Sequence, residues 1–117
     1  MTRKAAERLG NWGERRAAWW LRLHGWQILA RRVKLGRGEI DLIARRWRTT
    51  AFVEVKTRAA AADLDSAVDA HRLRRVAAAT SAVAHLYARP GDDIRIDVIL
   101  IAPRRWPRHL TNVWQSG

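Results

Sequence analysis

Three carboxylates and one lysine stand inside two apolar runs of this chain. GEIDLIARR, residues 38–46, carries Glu39 and Asp41 among Ile and Leu, and AFVEVKTR, residues 51–58, carries Glu54 and Lys56 among Phe and Val. Carboxylates are poor strand formers and costly to bury without partners, so their placement asks for a reason. Side chains of a strand alternate between its faces. Read that way, Ile40, Leu42 and Ala44 share one face of the first run, and Glu39, Asp41 and Ile43 the other. In the second run, Phe52, Glu54 and Lys56 lie opposite Val53 and Val55. If the two strands are neighbours, Asp41, Glu54 and Lys56 converge on one side of a sheet. Two carboxylates and a backbone carbonyl are suitable ligands for Mg²⁺ or Mn²⁺, and such an ion keeps waters that a phosphate can displace. A cation so held polarises a phosphodiester, acidifies its water and stabilises the leaving oxygen. A lysine beside it orients that water or offsets transition-state charge. A one-sided strand also alternates charge with apolar residues, so the same pattern is compatible with a plain solvated face.

The choice of lysine favours chemistry. Only Lys4, Lys34 and Lys56 among the 23 basic residues are Lys; the rest are Arg. Lysine is a compact ammonium whose pKa moves readily, and it does not replace arginine neutrally at a reacting centre.

The elements that must position these groups are legible in outline. Residues 5–24 predict a helix with Leu9, Ala17, Trp20, Leu21 and His24 on one stripe, Gly10 and Gly13 marking a break or a close approach, and Gly25 closing it. Strands are predicted at 26–33, 39–45 and 51–58, joined by a glycine-containing turn and a short polar connection, as a meander. Residues 59–66 are a loop or a helix start. Asp69 caps a helix through about residue 87, with Leu73, Val76, Ala79, Val83 and Leu86 on its apolar stripe. Residues 94–101, IRIDVILI, read as a strand beside an earlier one, and the Trp-containing basic tail, 103–117, as irregular or briefly helical. The length predicts one domain over 1–117 with its core at about 5–101. The order α-β-β-β-α-β predicts an α/β fold, a mixed sheet flanked by helices.

Composition narrows the partners. A formal net charge of +12 attracts polyanions, nucleic acid first and an anionic membrane second. Arg31, Arg32, Lys34 and Arg37, then Arg45, Arg46 and Arg48, and Arg72, Arg74 and Arg75 form three groups able to track phosphates. Arg72, Arg74 and Arg75 begin a helix, where the macrodipole disfavours cations, and a phosphate there relieves the conflict. Seven tryptophans are many for this length. Trp12, Trp19, Trp20 and Trp26 read as core, whereas Trp47 and Trp106, set among arginines, suit base stacking or an interface as well as partial burial. The absence of cysteine excludes disulfides and thiolate zinc sites, and the four histidines lack zinc spacing. Neither a nucleophile-elbow serine motif nor a Walker-type phosphate loop is present. The first residues carry no apolar stretch of a secretory signal, and no run is long enough to span a bilayer, so a cytoplasmic location without a membrane partner is expected.

An acid on one strand followed by E-x-K on the next resembles the PD-(D/E)xK nuclease core. More widely, GNWGERRAAWWLRLHGWQIL, GEIDLIARR, AFVEVKTR and IRIDVILI resemble the bacterial YraN-type family over about residues 5–101. That family is largely uncharacterised and is itself similar to archaeal Holliday-junction resolvases. The resemblance implies a restriction-endonuclease-like core, Asp41 and Glu54 as ligands of Mg²⁺ or Mn²⁺, and Lys56 as catalytic base or electrostatic partner. It also implies a first-helix glutamate completing the site, a place that Glu14 fits. Ile40 stands where that nuclease motif has proline. Glu39 is left as a support behind the ligands or as a partner for an arginine. Related resolvases act as dimers to cut paired strands, so the resemblance carries a homodimer as an expectation. The expected function is metal-dependent cleavage of DNA, branched or otherwise non-duplex. A DNA-binding accessory protein without turnover and a protein–protein adaptor are the alternatives.

Overall fold

The computed structural model describes residues 1–36 and 38–114. Arg37, one of the expected phosphate contacts, and the tail beyond 114 lie outside them. Helix α1 (Arg3–Leu23) opens on Thr2, whose hydroxyl accepts from the Ala5 amide at 3.0 Å. It ends in a Schellman closure. Gly25 adopts φ 85° and donates to Arg22 O at 3.1 Å, while Trp26 donates to Leu21 O at 2.9 Å. The closure turns the chain into strand β1 (Gln27–Leu35), and β2 (Gly38–Arg46) and β3 (Thr49–Thr57) follow as an antiparallel meander. A single 3₁₀ turn, Ala61–Asp63, occupies the stretch left open between loop and helix. Helix α2 (Ala70–Tyr87) begins at Asp69, which accepts from the His71 amide at 2.8 Å. Strand β4 (Asp93–Ile101) then lies parallel to β3. The sheet order is β1-β2-β3-β4, with a short fifth strand beside β4.

Two apolar layers sandwich the sheet. Ala17, Ala18 and Leu21 of α1 pack on Leu42, Ala44, Val53, Ile99 and Ile101. Leu73, Val76, Ala79 and Val83 of α2 pack on Ile40, Ile43, Phe52, Ile96 and Val98. Each fully buried Val, Leu or Ile contributes about 1.5–3 kcal/mol, so these layers carry most of the stability.

Four expectations need correction. The tail is neither irregular nor helical at residues 108–110: Arg108–Leu110 forms strand β5 on the outer edge of β4, with Val98 opposite Leu110. Trp19 is 63% and Leu86 67% exposed, because each lies beyond the stripe its helix turns to the sheet. Ile40 does not share a face with Leu42 and Ala44. It packs under α2, while they pack under α1. The alternation breaks at Asp41, the position missing from the β1–β2 ladder between Val33↔Ile40 and Arg31↔Leu42, where Arg32 on the facing strand takes φ 51°. A period of two holds only while both ladders of a strand are intact.

Gly13 settles the ambiguity of the first helix, which runs through it unbroken. A Cβ there would stand 1.9 Å from Thr57 Oγ1, so α1 rests directly on β3. Gly13→Ala gains about 1 kcal/mol of helix propensity but forces the layers apart, and overpacking of that kind costs about 1–3 kcal/mol. The expected result is a lower melting temperature. An unchanged or higher one would refute the contact.

Candidate active site

The β2–β3 ladder runs from Arg46↔Thr49 to Leu42↔Val53 and stops. Beyond it the Val55 amide donates to Asp41 Oδ2 at 2.7 Å instead of to a backbone carbonyl. A carboxylate thus replaces a ladder bond, and the two strands fork around it. α1 closes one side of the fork and Arg72 of α2 the other, leaving a cleft of about 530 Å³. Asp41, Glu54, Lys56 and Glu14 all line it, as do Glu39 and Arg72.

Glu54 is 1% exposed. Its Oε1 takes the Arg72 Nε–H at 2.9 Å and lies 3.2 Å from Lys56 Nζ. Its Oε2 is buried with no hydrogen-bond partner among the described residues. Asp41, 7% exposed, has its pKa pushed up to about 7. Burial is the main cause and the charge of Glu54 the second, with Glu14 and Glu39 adding to it and the Val55 amide opposing. The Arg72 pKa is raised as well. Burial works against its charge, but Glu54 outweighs it through charge and hydrogen bond, with help from Asp41 and Glu39. Glu39, without a settled role in the sequence, meets Arg72 Nη2 at 3.6 Å, which makes it an arginine partner. Glu14 accepts from Arg32 Nε at 3.0 Å, and Arg32 also bonds Asn11. The positive φ of Arg32 therefore sits where its side chain reaches across to α1.

The oxygens able to face a cation come from Asp41 and Glu54, with Glu14 near the rim. Among the described residues no three acidic or imidazole side chains converge into a complete ligand set. A hard cation would complete its shell with water and phosphate oxygens.

The basic groups scatter more widely. Arg32 and Lys34 border a second groove of about 410 Å³ that shares Glu14 and Glu39 with the cleft, and Arg31 is exposed on the same edge strand. Arg74 and Arg75 are exposed on α2. Arg72, grouped with them by sequence, turns inward onto Glu54. Its conflict with the helix dipole is eased by the carboxylates of Glu54 and Glu39. Arg46 and Arg48 lie at the opposite end of the β2–β3 hairpin. There Arg46 covers the Trp26 ring at 4.6 Å and donates to His24 O, while Trp47, φ 55°, is 90% exposed. Arg45, next to Arg46, is tied to Asp92 at 2.8 Å. Trp106 is 83% exposed.

Two features escaped the sequence reading. One is the inward turn of Arg72, whose signal was a cation at a helix start. The other is Asp97, fully buried on β4. It accepts from Arg95 Nη2 and lies within hydrogen-bond distance of His109 Nε2, both at 2.8 Å, and it accepts from the Asn112 amide at 2.9 Å. Its signal was an acid within an otherwise apolar half-strand. No helix among the described residues is long and apolar enough to cross a membrane.

Comparison with known proteins places the chain among relatives of matching length. A model of the uncharacterised protein family UPF0102 matches residues 13–101. A UPF0102 protein of Sphingopyxis alaskensis is 65% identical, with 98% of this chain and 99% of that one aligned. One from Erythrobacter litoralis is 62% identical over the same shares, and one from Rhizorhabdus wittichii 63% over 97% of each chain. Among solved structures, that of Hjc, a Holliday junction resolvase from the archaeal hyperthermophile Archaeoglobus fulgidus, superposes with a TM-score of 0.58. It is 19% identical, and the match covers 83% of this chain and 71% of that one. At that identity the likeness establishes the fold, a restriction-endonuclease-like α/β core in the expected order α-β-β-β-α-β with β5 appended.

Proposed function

The chain belongs to the uncharacterised protein family UPF0102, and from that membership and the cleft we propose that it is a divalent-metal-dependent endonuclease acting on DNA, with branched or non-duplex DNA as the favoured substrate. The observation that carries this reading is the fork at Asp41. It brings two carboxylates and a lysine into one cleft of a strongly basic protein. A nuclease fold and a net charge of +12 support it.

The residues fit Mg²⁺ or Mn²⁺. Glu54 Oε2 is a buried carboxylate oxygen without a partner among the described residues, and the Asp41 carboxyl is driven towards protonation by burial and by its neighbour. A hard dication relieves both. Asp41 and Glu54 would hold it, and Glu14 would close the α1 side through water. When bound, the ion supplies Lewis-acid activation of the phosphodiester and of water. The protein's own part is positional. Lys56 holds Glu54 Oε1 in place at 3.2 Å and presents an ammonium to the reacting phosphate, Arg32 orients Glu14, and Arg31, Lys34, Arg74 and Arg75 hold flanking phosphates. Trp47 and Trp106 offer exposed rings to unstacked bases.

The test is cleavage of linear, single-stranded and four-way DNA in Mn²⁺, run beside Lys56→Ala. The wild type is expected to cut at least one of these. Lys56→Ala should lose about 10²–10³-fold in rate while still binding DNA. A wild type inert on all three would turn the assignment to a second reading, a nucleic-acid-binding accessory protein without turnover. One observation favours that alternative: Glu54 Oε1 is already held by two cationic side chains.

A further inference from the structure

Arg72 has no place in the metal chemistry just outlined, yet it makes the shortest contact to Glu54. Its guanidinium lies 2.9 Å from Glu54 Oε1 and 3.6 Å from Glu39 Oε1, and its side chain remains 31% exposed to the cleft. The approach of β2 to α2 that permits this is close. A Cβ on Gly38 would stand 2.6 Å from the Arg75 carbonyl, so the start of β2 lies against the first turns of α2, with Glu39 beside Arg72. The arginine therefore bridges two carboxylates, one a candidate metal ligand and the other half-exposed at the rim.

Such a bridge sets two cations in competition. A guanidinium on Glu54 repels a dication on the same carboxylate, in a site where charges are poorly screened. The planar fork of arginine also suits a phosphate, to which it can bind bidentately. Glu39 gives the side chain a second hold at the mouth, so release from Glu54 does not require Arg72 to leave the cleft. Lys56 remains beside Oε1 at 3.2 Å and keeps the Glu54 side chain in place.

We propose that Arg72 couples capture of a DNA phosphate to binding of the divalent cation: an entering phosphate draws the guanidinium from Glu54, and Glu54 then holds the cation more tightly. This rests on the endonuclease reading and adds to it an order of assembly, in which DNA promotes metal binding. Linkage makes the effect reciprocal, so the cation tightens DNA binding by the same factor.

The experiment is titration of Mn²⁺, followed by the electron paramagnetic resonance of the free ion, with and without a saturating four-way junction of phosphorothioate DNA that resists cleavage. In the wild type, DNA is expected to tighten Mn²⁺ binding about tenfold. Arg72→Gln should bind Mn²⁺ alone several-fold more tightly than the wild type, and its gain from DNA should fall below about threefold, the residue that a phosphate contributes directly as a ligand. If Arg72→Gln does not fold, Arg72→Lys keeps the charge but loses the fork. It should bind Mn²⁺ alone as the wild type does, with a smaller gain from DNA. The full wild-type gain in the variant, or Mn²⁺ binding without any gain in the wild type, overturns the proposal and leaves the nuclease reading standing. No Mn²⁺ binding by the wild type, with or without DNA, removes both.

Discussion

Asp41→Asn will melt at a higher temperature than the wild type at neutral pH and above, and will lose Mn²⁺ affinity by about 100-fold or more. The two effects have one origin. In the folded protein the Asp41 carboxyl titrates at about 7, against 3.8 ordinarily, because it is buried beside Glu54. At low pH it is protonated in both folded and unfolded chains and costs nothing. Between about 4 and 7 the unfolded chain has released a proton that the folded one retains, so stability falls as pH rises. Above about 7 the loss is complete, of the order of 2–4 kcal/mol. Asparagine retains an oxygen to accept from the Val55 amide, so the fork survives, but the penalty is gone, and with it the anionic oxygen that the proposed cation site requires. Melting curves of both proteins across pH should diverge from about pH 4 and run parallel above about pH 7. A constant difference, or a less stable variant, would refute the account.

The largest loss of stability away from the cleft is expected for Asp97→Ala. Asp97 is fully buried, and Arg95, His109 and the Asn112 amide all converge on it. Removing it leaves a guanidinium, an imidazole and an amide without their acceptor, and breaking a buried pair in this way costs about 3–5 kcal/mol. For a chain of this size that corresponds to a melting temperature lower by about 10 °C or more. The Asp97 pKa is lowered. Burial opposes the charged form, but the His109 and Arg95 donors and the Asn112 amide prevail. Its contribution is therefore present above the ordinary carboxyl range and disappears as acid protonates it. Because His109 and Asn112 belong to the tail, amide exchange in β5 and residues 111–113 should quicken more than exchange in β2. Equal acceleration throughout, or a melting temperature within a degree or two of the wild type, would show that Asp97 does not hold the tail.

Much of the architecture is written in local pattern. Periods of two and of 3.6 locate four of the strands and both long helices, and of the two glycines that mark a break or a close approach in the first helix, Gly13 makes the approach while Gly10 faces open space. Glu54 and Lys56 share a face by the alternation of one strand, and the pairing of the two strands brings Asp41 beside them. What stayed hidden depends on contacts between distant segments. The face exchanged at Asp41 arises because a side chain, not a carbonyl, serves the Val55 amide, and nothing local in GEIDLIA announces it. β5 exists because the outer edge of β4 and the Asp97 carboxylate both require partners that come from residues 108–113. Arg72 looks like a solvent-facing cation until β2 is seen to press against α2. The exposure of Trp19 and Leu86 shows the other limit: periodicity finds a stripe but not how wide a stripe the sheet can cover.

The fork also separates chemistry from variation. Asp41 and Glu54 face each other at one end of the β2–β3 hairpin, and the two-residue turn of Trp47 and Arg48 lies at the other. The separation of thirteen from Asp41 to Glu54 is therefore a matter of hairpin length, not a requirement of the site. Residues inserted at the turn, or matched pairs added to both strands, would lengthen the arm and leave the spacing across the fork untouched. The tip is a permissive port, where new loops can be grafted and recognition can evolve without disturbing the carboxylates.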